Sequence, residues 1–174
     1  REGGRLEPFN HAALFPKPFV PRSLPFEIAE RLIAGGGVRD PLDEAQVMSV
    51  IAQLKAEAVE AVAVCLLWST LNPVHERRVG ELLAEHMPGV PVSLSHSVNP
   101  TLREFRRASS TAIDASLKPI MSRYMSGLTD RLRDAGFAGD VMVLTSSGGL
   151  MAGQEVADYP VRIINSGPSM APIA

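Results

Sequence analysis

A chain of 174 residues, 45% hydrophobic and 21% charged, has the length of one domain, or of one domain with part of a second, and the composition of a globular protein. Its net charge of −2 gives no electrostatic case for nucleic-acid binding. The one cysteine, Cys65, excludes an internal disulfide framework and any multi-cysteine zinc site, and no apolar run approaches the roughly 18 residues that span a bilayer.

Residues 1–25 carry Pro8, Pro16, Pro18, Pro21 and Pro25, which forbid a helix and favour an extended lead-in. Phe26 to Pro41 reads as a short strand pair turning at Gly35-Gly36-Gly37. Asp43 with Gln46 forms a capping-box pattern, and Val47, Val50, Ile51 and Leu54 recur at helical spacing, which predicts a helix over 44–57. The run Ala61-Val62-Ala63-Val64-Cys65-Leu66-Leu67 suits a strand buried on both faces, with an unreactive thiol in reducing, cytoplasmic surroundings. Asn72-Pro73 opens a second helix to about His86. Val90 to Leu94 is a second buried strand.

Asn99-Pro100 repeats the same start signal. The long pattern behind it places Ile113, Leu117, Ile120, Met121, Tyr124, Leu128 and Leu132 on one stripe, with a break or kink at Pro119 and a stop at Gly136. Val141–Leu144 is a third strand, Gly148-Gly149 turns the chain, and Val161–Ile164 is a fourth strand leading to another helix start at Ser166-Gly167-Pro168. Strands alternating with helices give a parallel sheet, so the fold class is α/β. The first residues, Arg1-Glu2-Gly3-Gly4-Arg5, show no signal-peptide pattern, and the last ones, Pro168 to Ala174, read as an unfinished element. Both ends are expected to be cuts in a longer chain.

In parallel sheets, ligands bind beyond the carboxyl ends of the strands. Those ends carry Trp68, Ser69 and Thr70; then Ser95, His96 and Ser97; then Thr145, Ser146, Ser147, Gly148 and Gly149; then Ser166 and Gly167. Such residues offer N–H and hydroxyl donors to a phosphate or polar small molecule, although the same residues serve as caps and turns in any loop. His96 is positioned as a general base or as a ligand for a substrate oxygen, against the plain alternative that it only bonds its own loop. His75 has no partner at metal-binding spacing. Arg103, Glu104, Arg106 and Arg107 read as a solvated helix face, with Arg103 near enough to a helix start to meet a phosphate. Ser109, Ser110 and Thr111 mark a hinge or a close helix contact.

Taken in order, Pro18-Phe19-Val20-Pro21-Arg22, Pro41-Leu42-Asp43-Glu44, Ala61-Val62-Ala63-Val64-Cys65 with Asn72 to Arg78, Ser93-Leu94-Ser95-His96, Arg103-Glu104-Phe105, Ser109-Ser110-Thr111, Ser146-Ser147-Gly148-Gly149 and Ser166-Gly167-Pro168 resemble the A-type subunits of the hydantoinase/oxoprolinase family. The resemblance implies an actin-like, sugar-kinase-like ATPase architecture, with helices on both faces of its sheet. Residues 1–137 would be the later part of its N-terminal domain and 138–174 the start of its catalytic domain.

It implies ATP-dependent hydrolysis of a cyclic amide such as a hydantoin, 5-oxoproline or a lactam through carbonyl phosphorylation. Carboxylation of a ketone is the alternative activity, and a partner-docking domain the non-enzymatic one. The partner implied is a B-type subunit or a fused B-type region. ATP and Mg would serve the whole enzyme. The family's two Asp-x-Gly-Gly-Thr phosphate motifs do not occur in this sequence, so no nucleotide is expected on the chain alone, and the chain alone is expected to be inactive. His96 and Arg103 would face substrate. Ser146, Ser147, Gly148, Gly149, Ser166 and Gly167 would line the nucleotide and substrate cleft, with no metal ligand among them. Ser97, Arg106, Asp114 and Ser169 to Pro172 depart from the family pattern.

Overall fold

The computed structural model describes residue 12 and residues 18–170, the last two by backbone alone. Pro8, Pro16 and the end of the chain from Ala171 lie outside the described residues. Pro18 to Pro25 are free of helix, with one turn closed by Leu24 N–H donating to Pro21 O at 3.0 Å.

The predicted strand pair is present as β1 (Arg31–Leu32) and β2 (Val38–Asp40), antiparallel across the glycine turn. Helix α1 (Glu44–Ala56) starts where the sequence places it, with Asp43 Oδ1 accepting the Gln46 N–H at 2.9 Å. The reciprocal half of the capping box is not made. Gln46 Oε1 instead takes the Ala29 N–H at 2.5 Å, and the Asp43 N–H goes to Ala29 O at 3.0 Å. The capping groups therefore tie the helix to the preceding segment, beyond satisfying its own free donors.

Strand β3 (Val62–Val64), helix α2 (Val74–His86) and strand β4 (Val92–Leu94) form a strand–helix–strand unit in sequence order, and β3 and β4 pair in parallel with Ala63 opposite Ser93. Side chains alternate across a strand. Val62 and Val64, with Val92 and Leu94, pack into a core with Val47, Val50, Ile51 and Leu54 of α1 and Val79, Leu82 and Leu83 of α2. Gly80 lets α2 lie close to β4: a Cβ there would meet Leu94 Cδ1 at 3.1 Å. The opposite face carries Ala63 and Ser93 and is met by helix α4 (Glu104–Asp134). The expectation of a strand buried on both faces is corrected here, because Ala63 is exposed and Cys65 only half-buried.

A short helix α3 (Ser95–Val98) follows β4 at once, and α4 begins at Glu104, five residues later than the Asn99 signal indicated. Helix α4 runs 31 residues without interruption through Pro119, so the expected break is absent. Packing on either side of Pro119, against the parallel pair before it and against the second core after it, holds the helix across the one missing N–H. Its stripe is also not the predicted one. Ile120 and Tyr124 are more than half exposed. The inward residues are Arg107, Thr111, Asp114, Lys118, Met121, Met125 and Leu128, a regular i+4, i+3 series that is polar in its first half and apolar in its second.

The helix stops as predicted. Gly136 has φ +86°, its N–H donates to Arg133 O at 2.9 Å, and Phe137 N–H donates to Leu132 O at 2.9 Å, which together form a Schellman motif. Beyond it, β5 (Met142–Leu144) pairs antiparallel with β6 (Leu150–Ala152). The third predicted strand is thus half of a hairpin and takes no place in the parallel sheet. Gly148 at φ +86° supplies the left-handed turn residue that closes it. Helix α5 (Gly153–Asp158) follows.

The predicted fourth strand is a 3-10 helix, Pro160–Ile163, started by a proline at its first position. Its Val161 N–H is taken by Asp114 Oδ1 at 3.1 Å, so the segment's polar groups find partners outside any sheet. Helix α6 (Ser166–Met170) closes the described chain. Met125 and Met151 with Val156 form a second core, joined by Met121, Leu128, Val141 and Tyr159. The architecture is α/β, with a small parallel pair between helices and a hairpin beside it.

Candidate functional site

Because β3 and β4 are parallel, the residues after them emerge at one end of the pair. The structure brings two of the four predicted strand ends into contact there: Ser69 Oγ lies 3.3 Å from Ser95 Oγ. Beside them lies a residue that sequence reasoning passed over. Glu76, in the first turn of α2, is fully buried and accepts four hydrogen bonds. Its Oε1 takes the Leu66 N–H at 2.8 Å and the Ser95 hydroxyl at 2.5 Å. Its Oε2 takes the His96 backbone N–H at 3.0 Å and His96 Nδ1 at 2.7 Å.

The positive counterpart is Arg107, 1% exposed on the first turn of α4. Its Nε donates to Ser95 Oγ at 3.0 Å, and its two terminal nitrogens donate to Thr101 O at 3.2 Å and Leu66 O at 2.7 Å. Ser95 therefore stands between a buried guanidinium and a buried carboxylate, donating to one and accepting from the other. Burying two opposite charges is tolerable when each is paired and hydrogen-bonded in this way. His96 is the member of the group nearest solvent, with 13% of its side chain exposed, and its Nε2 carries no hydrogen bond among the described residues.

Two residues beside this group hold left-handed backbone without being glycine: Trp68 at φ +60°, next to Ser69, and Arg103 at φ +76°, whose carbonyl takes the Arg107 N–H at 3.3 Å. Strain of that kind persists only where the surroundings over-determine it, and it gathers at functional sites. Arg103 itself is exposed at the start of α4, outside the buried group.

A second polar knot ties the two cores. Asp114, fully buried on α4, takes the Ser93 hydroxyl at 2.7 Å on Oδ2 and the Val161 N–H at 3.1 Å on Oδ1. Lys118 Nζ lies 3.8 Å from the same Oδ2 and donates to Val92 O at 2.6 Å. Burial holds the Lys118 ammonium below the ordinary lysine value, against the opposing pull of Asp114. His75 is likewise buried, with Nδ1 2.7 Å from Glu30 Oε2, a pair that fastens α2 to the strand pair.

Ser146, Ser147, Gly148 and Gly149 form the tip of the β5–β6 hairpin, and Ser146 brings that tip to the start of α6. Its N–H donates to Arg162 O at 2.8 Å and its hydroxyl to Ile164 O, two residues before Ser166 and three before Gly167. Several donors of the tip are used within the chain. Gly148 N–H goes to Thr145 O at 3.0 Å, Gly149 N–H to Thr145 Oγ1 at 2.9 Å, and Ser147 Oγ pairs with Thr145 Oγ1 at 3.1 Å. No group of three or more His, Cys, Asp or Glu that could hold a metal ion occurs among the described residues. No helix among them is long and apolar enough to cross a membrane.

Two family models match the chain: the hydantoinase/oxoprolinase N-terminal region over residues 2–87 and hydantoinase/oxoprolinase over residues 107–171. The chain belongs to the hydantoinase/oxoprolinase family. Among known proteins it is similar to the caprolactamase subunit alpha of Pseudomonas jessenii, at 35% identity over 100% of this chain and 25% of that protein. The crystal structure of that ATP-dependent caprolactamase superposes with a TM-score of 0.88 at 34% identity, over 99% of this chain and 25% of that one. Similarity extends to the acetophenone carboxylase gamma subunit of Aromatoleum aromaticum, 35% identical over 88% of this chain and 21% of that protein. The 5-oxoprolinase of Saccharomyces cerevisiae is 31% identical over 87% of this chain and 12% of that protein. The chain thus spans a quarter or less of the length of these relatives.

Proposed function

We propose that the whole protein is an ATP-dependent hydrolase of cyclic amides, of the hydantoin, 5-oxoproline or lactam type, working with a B-type subunit or region in the cytoplasm, and that this chain supplies its proton-transfer group, His96. The observation that carries the reading is the imidazole at the carboxyl end of β4, gripped through Nδ1 by a buried carboxylate, with 13% of its side chain exposed and Nε2 making no hydrogen bond among the described residues. Likeness to a caprolactamase and a 5-oxoprolinase, both acting on ring amides, supports the substrate class.

The chemistry assigned to this chain is hydrolytic. Water adds to the ring carbonyl as Nε2 of His96 accepts its proton, and the same proton passes to the ring nitrogen as the C–N bond breaks. ATP dependence is proposed from the relatives alone. Several donors of the Ser146–Gly149 tip are engaged internally, and no step of nucleotide chemistry is assigned to the residues described.

The test uses the intact protein with its partner subunit and follows ATP-dependent opening of hydantoin, 5-oxoproline and a lactam. H96A is expected to lower kcat by about 10²–10⁴-fold, the usual worth of a positioned acid–base group. Full activity in H96A, or turnover without ATP, ends the reading.

A second reading has its own observation. Identity to the acetophenone carboxylase subunit equals that to the caprolactamase subunit, 35% in each case. Under it, Nε2 would take the α-proton of a ketone, and consumption of acetophenone or acetone would require bicarbonate. Ring opening with no bicarbonate dependence excludes it.

A further inference from the structure

We propose that Glu76 is the positioning residue for His96: its carboxylate fixes the imidazole as the Nδ1–H tautomer and so makes Nε2 the basic nitrogen. The inference rests on the reading of His96 as the proton carrier and names the group through which that reading operates.

A carboxylate can only accept, so the ring nitrogen 2.7 Å from Glu76 Oε2 carries the hydrogen and the other is left with a lone pair when the ring is neutral. The same oxygen takes the His96 backbone N–H at 3.0 Å, so the main chain and the ring of one residue are held by one atom. Rotation of the carboxylate is blocked from the other side, where Oε1 holds the Leu66 N–H and the Ser95 hydroxyl. Ser95 donates to Glu76 because a carboxylate can only accept, and its own oxygen accepts from Arg107 Nε at 3.0 Å. Four donors fill the roughly four lone-pair sites of an ionised carboxylate. A carboxylate that merely joined two loops would need the two backbone N–H groups and the serine; the contact to the ring is the part that sets chemistry. Carboxylates behind metal-bound histidines change activity by about 10–100-fold when removed, and the same scale is expected here.

The variant is E76Q. Its carboxamide has only one accepting oxygen, so an NH2 facing the ring would donate to Nδ1 and reverse the tautomer. A double-mutant cycle on kcat in the intact protein, with its partner subunit, ATP and a lactam, separates the possibilities. E76Q is expected to lower kcat by about 10–100-fold with KM within about twofold, and E76Q in an H96A background is expected to add nothing. A full further loss in that background overturns the role of Glu76 while leaving that of His96 standing. Unchanged activity in H96A alone overturns both.

Where E76Q does not fold, the unaltered protein decides by the ¹⁵N shifts of His96 with its ring neutral. A pyrrole-type Nδ1 and pyridine-type Nε2 are expected, and the reverse assignment ends the proposal.

Discussion

Asp114 shows what a single buried side chain does in this fold. It lies on α4, yet its oxygens reach Ser93 on β4 and the Val161 N–H in the 3-10 helix, with Lys118 one turn along. Removing a buried carboxylate that is paired on both oxygens strands its donors, so D114A is expected to cost about 3 kcal/mol. Urea unfolding measures it, and a loss below about 1 kcal/mol would mean that water replaces the carboxylate.

Lys118 adds a pH dependence whose sign is fixed. Its folded pKa is lowered from 10.5 by burial. Between the lowered value and 10.5 the unfolded chain binds more protons than the folded one, so stability rises with pH through that window. The stability of the wild type relative to K118M is therefore expected to increase from neutral pH towards pH 10.5. A flat or falling difference would contradict the burial of the ammonium.

These residues also mark where the sequence was hard to read. His96 stands out in the sequence as a histidine between serines at a strand end, and the structure shows its ring held by Glu76. Glu76 sits in His75-Glu76-Arg77-Arg78 and Arg107 in a run of arginines, and both look like solvated helix starts. Nothing in their immediate neighbours says that they face inward. The signal lay in spacing: Arg107, Thr111, Asp114 and Lys118 continue the inward series of Met121, Met125 and Leu128, but a search for apolar stripes skips a stripe that begins polar.

Some elements with local signals came out as read, although the Asn99 helix start and the Pro119 break did not. Helix α1 followed from Asp43 and its apolar period, and the end of α4 followed from Gly136. G136A tests the second. A Cβ there would meet nothing within 4 Å, so the whole cost is the left-handed backbone at φ +86°, about 1–2 kcal/mol. Loss beyond about 3 kcal/mol would point to a contact the structure does not contain. Elements whose identity depends on distant partners did not come out. Val141–Leu144 has strand composition, but nothing local says whether it joins a parallel sheet or folds onto Leu150–Ala152. Val161–Ile164 reads as a strand by composition, and only Pro160 with the distant Asp114 and Ser146 makes it a 3-10 turn.

Between α1 and α2, Arg78 bridges Glu44 at 2.7 Å and Glu81 at 3.0 Å on the surface. Its hydrogen bond to Arg78 lowers the Glu44 pKa below 4.5. A depressed carboxylate pKa gives stability that is complete above 4.5 and is lost as pH falls through the lowered value. The difference between wild type and R78A is expected to shrink on acidification and in 1 M salt. A difference that survives both would show that the guanidinium contributes by packing.

At the scale of the molecule, the chain holds two hydrophobic cores joined by one helix. The first lies between the parallel pair and helices α1 and α2; the second gathers Met125, Met151 and Val156 beneath the hairpin and α5. Helix α4 belongs to both: its polar half closes the Glu76–Arg107 group and the Asp114 knot, and its apolar half roofs the second core. The hairpin leaves Met142, Leu144 and Leu150 exposed, so the second core has less cover than the first. That asymmetry predicts two units of unequal stability coupled through α4. Val156 is fully buried, and V156A is expected to cost about 2 kcal/mol by the cavity it leaves. Each 1.4 kcal/mol is about tenfold in an equilibrium, so native-state hydrogen exchange at the amides of 142–163 should speed up by about 30-fold, while those of α1, β3 and β4 keep their protection. Asp114 is the main polar link between the units, so D114A should loosen both sets of amides together. Equal loss of protection in both regions for V156A would mean that the chain opens as one cooperative body, with α4 as its rigid spine.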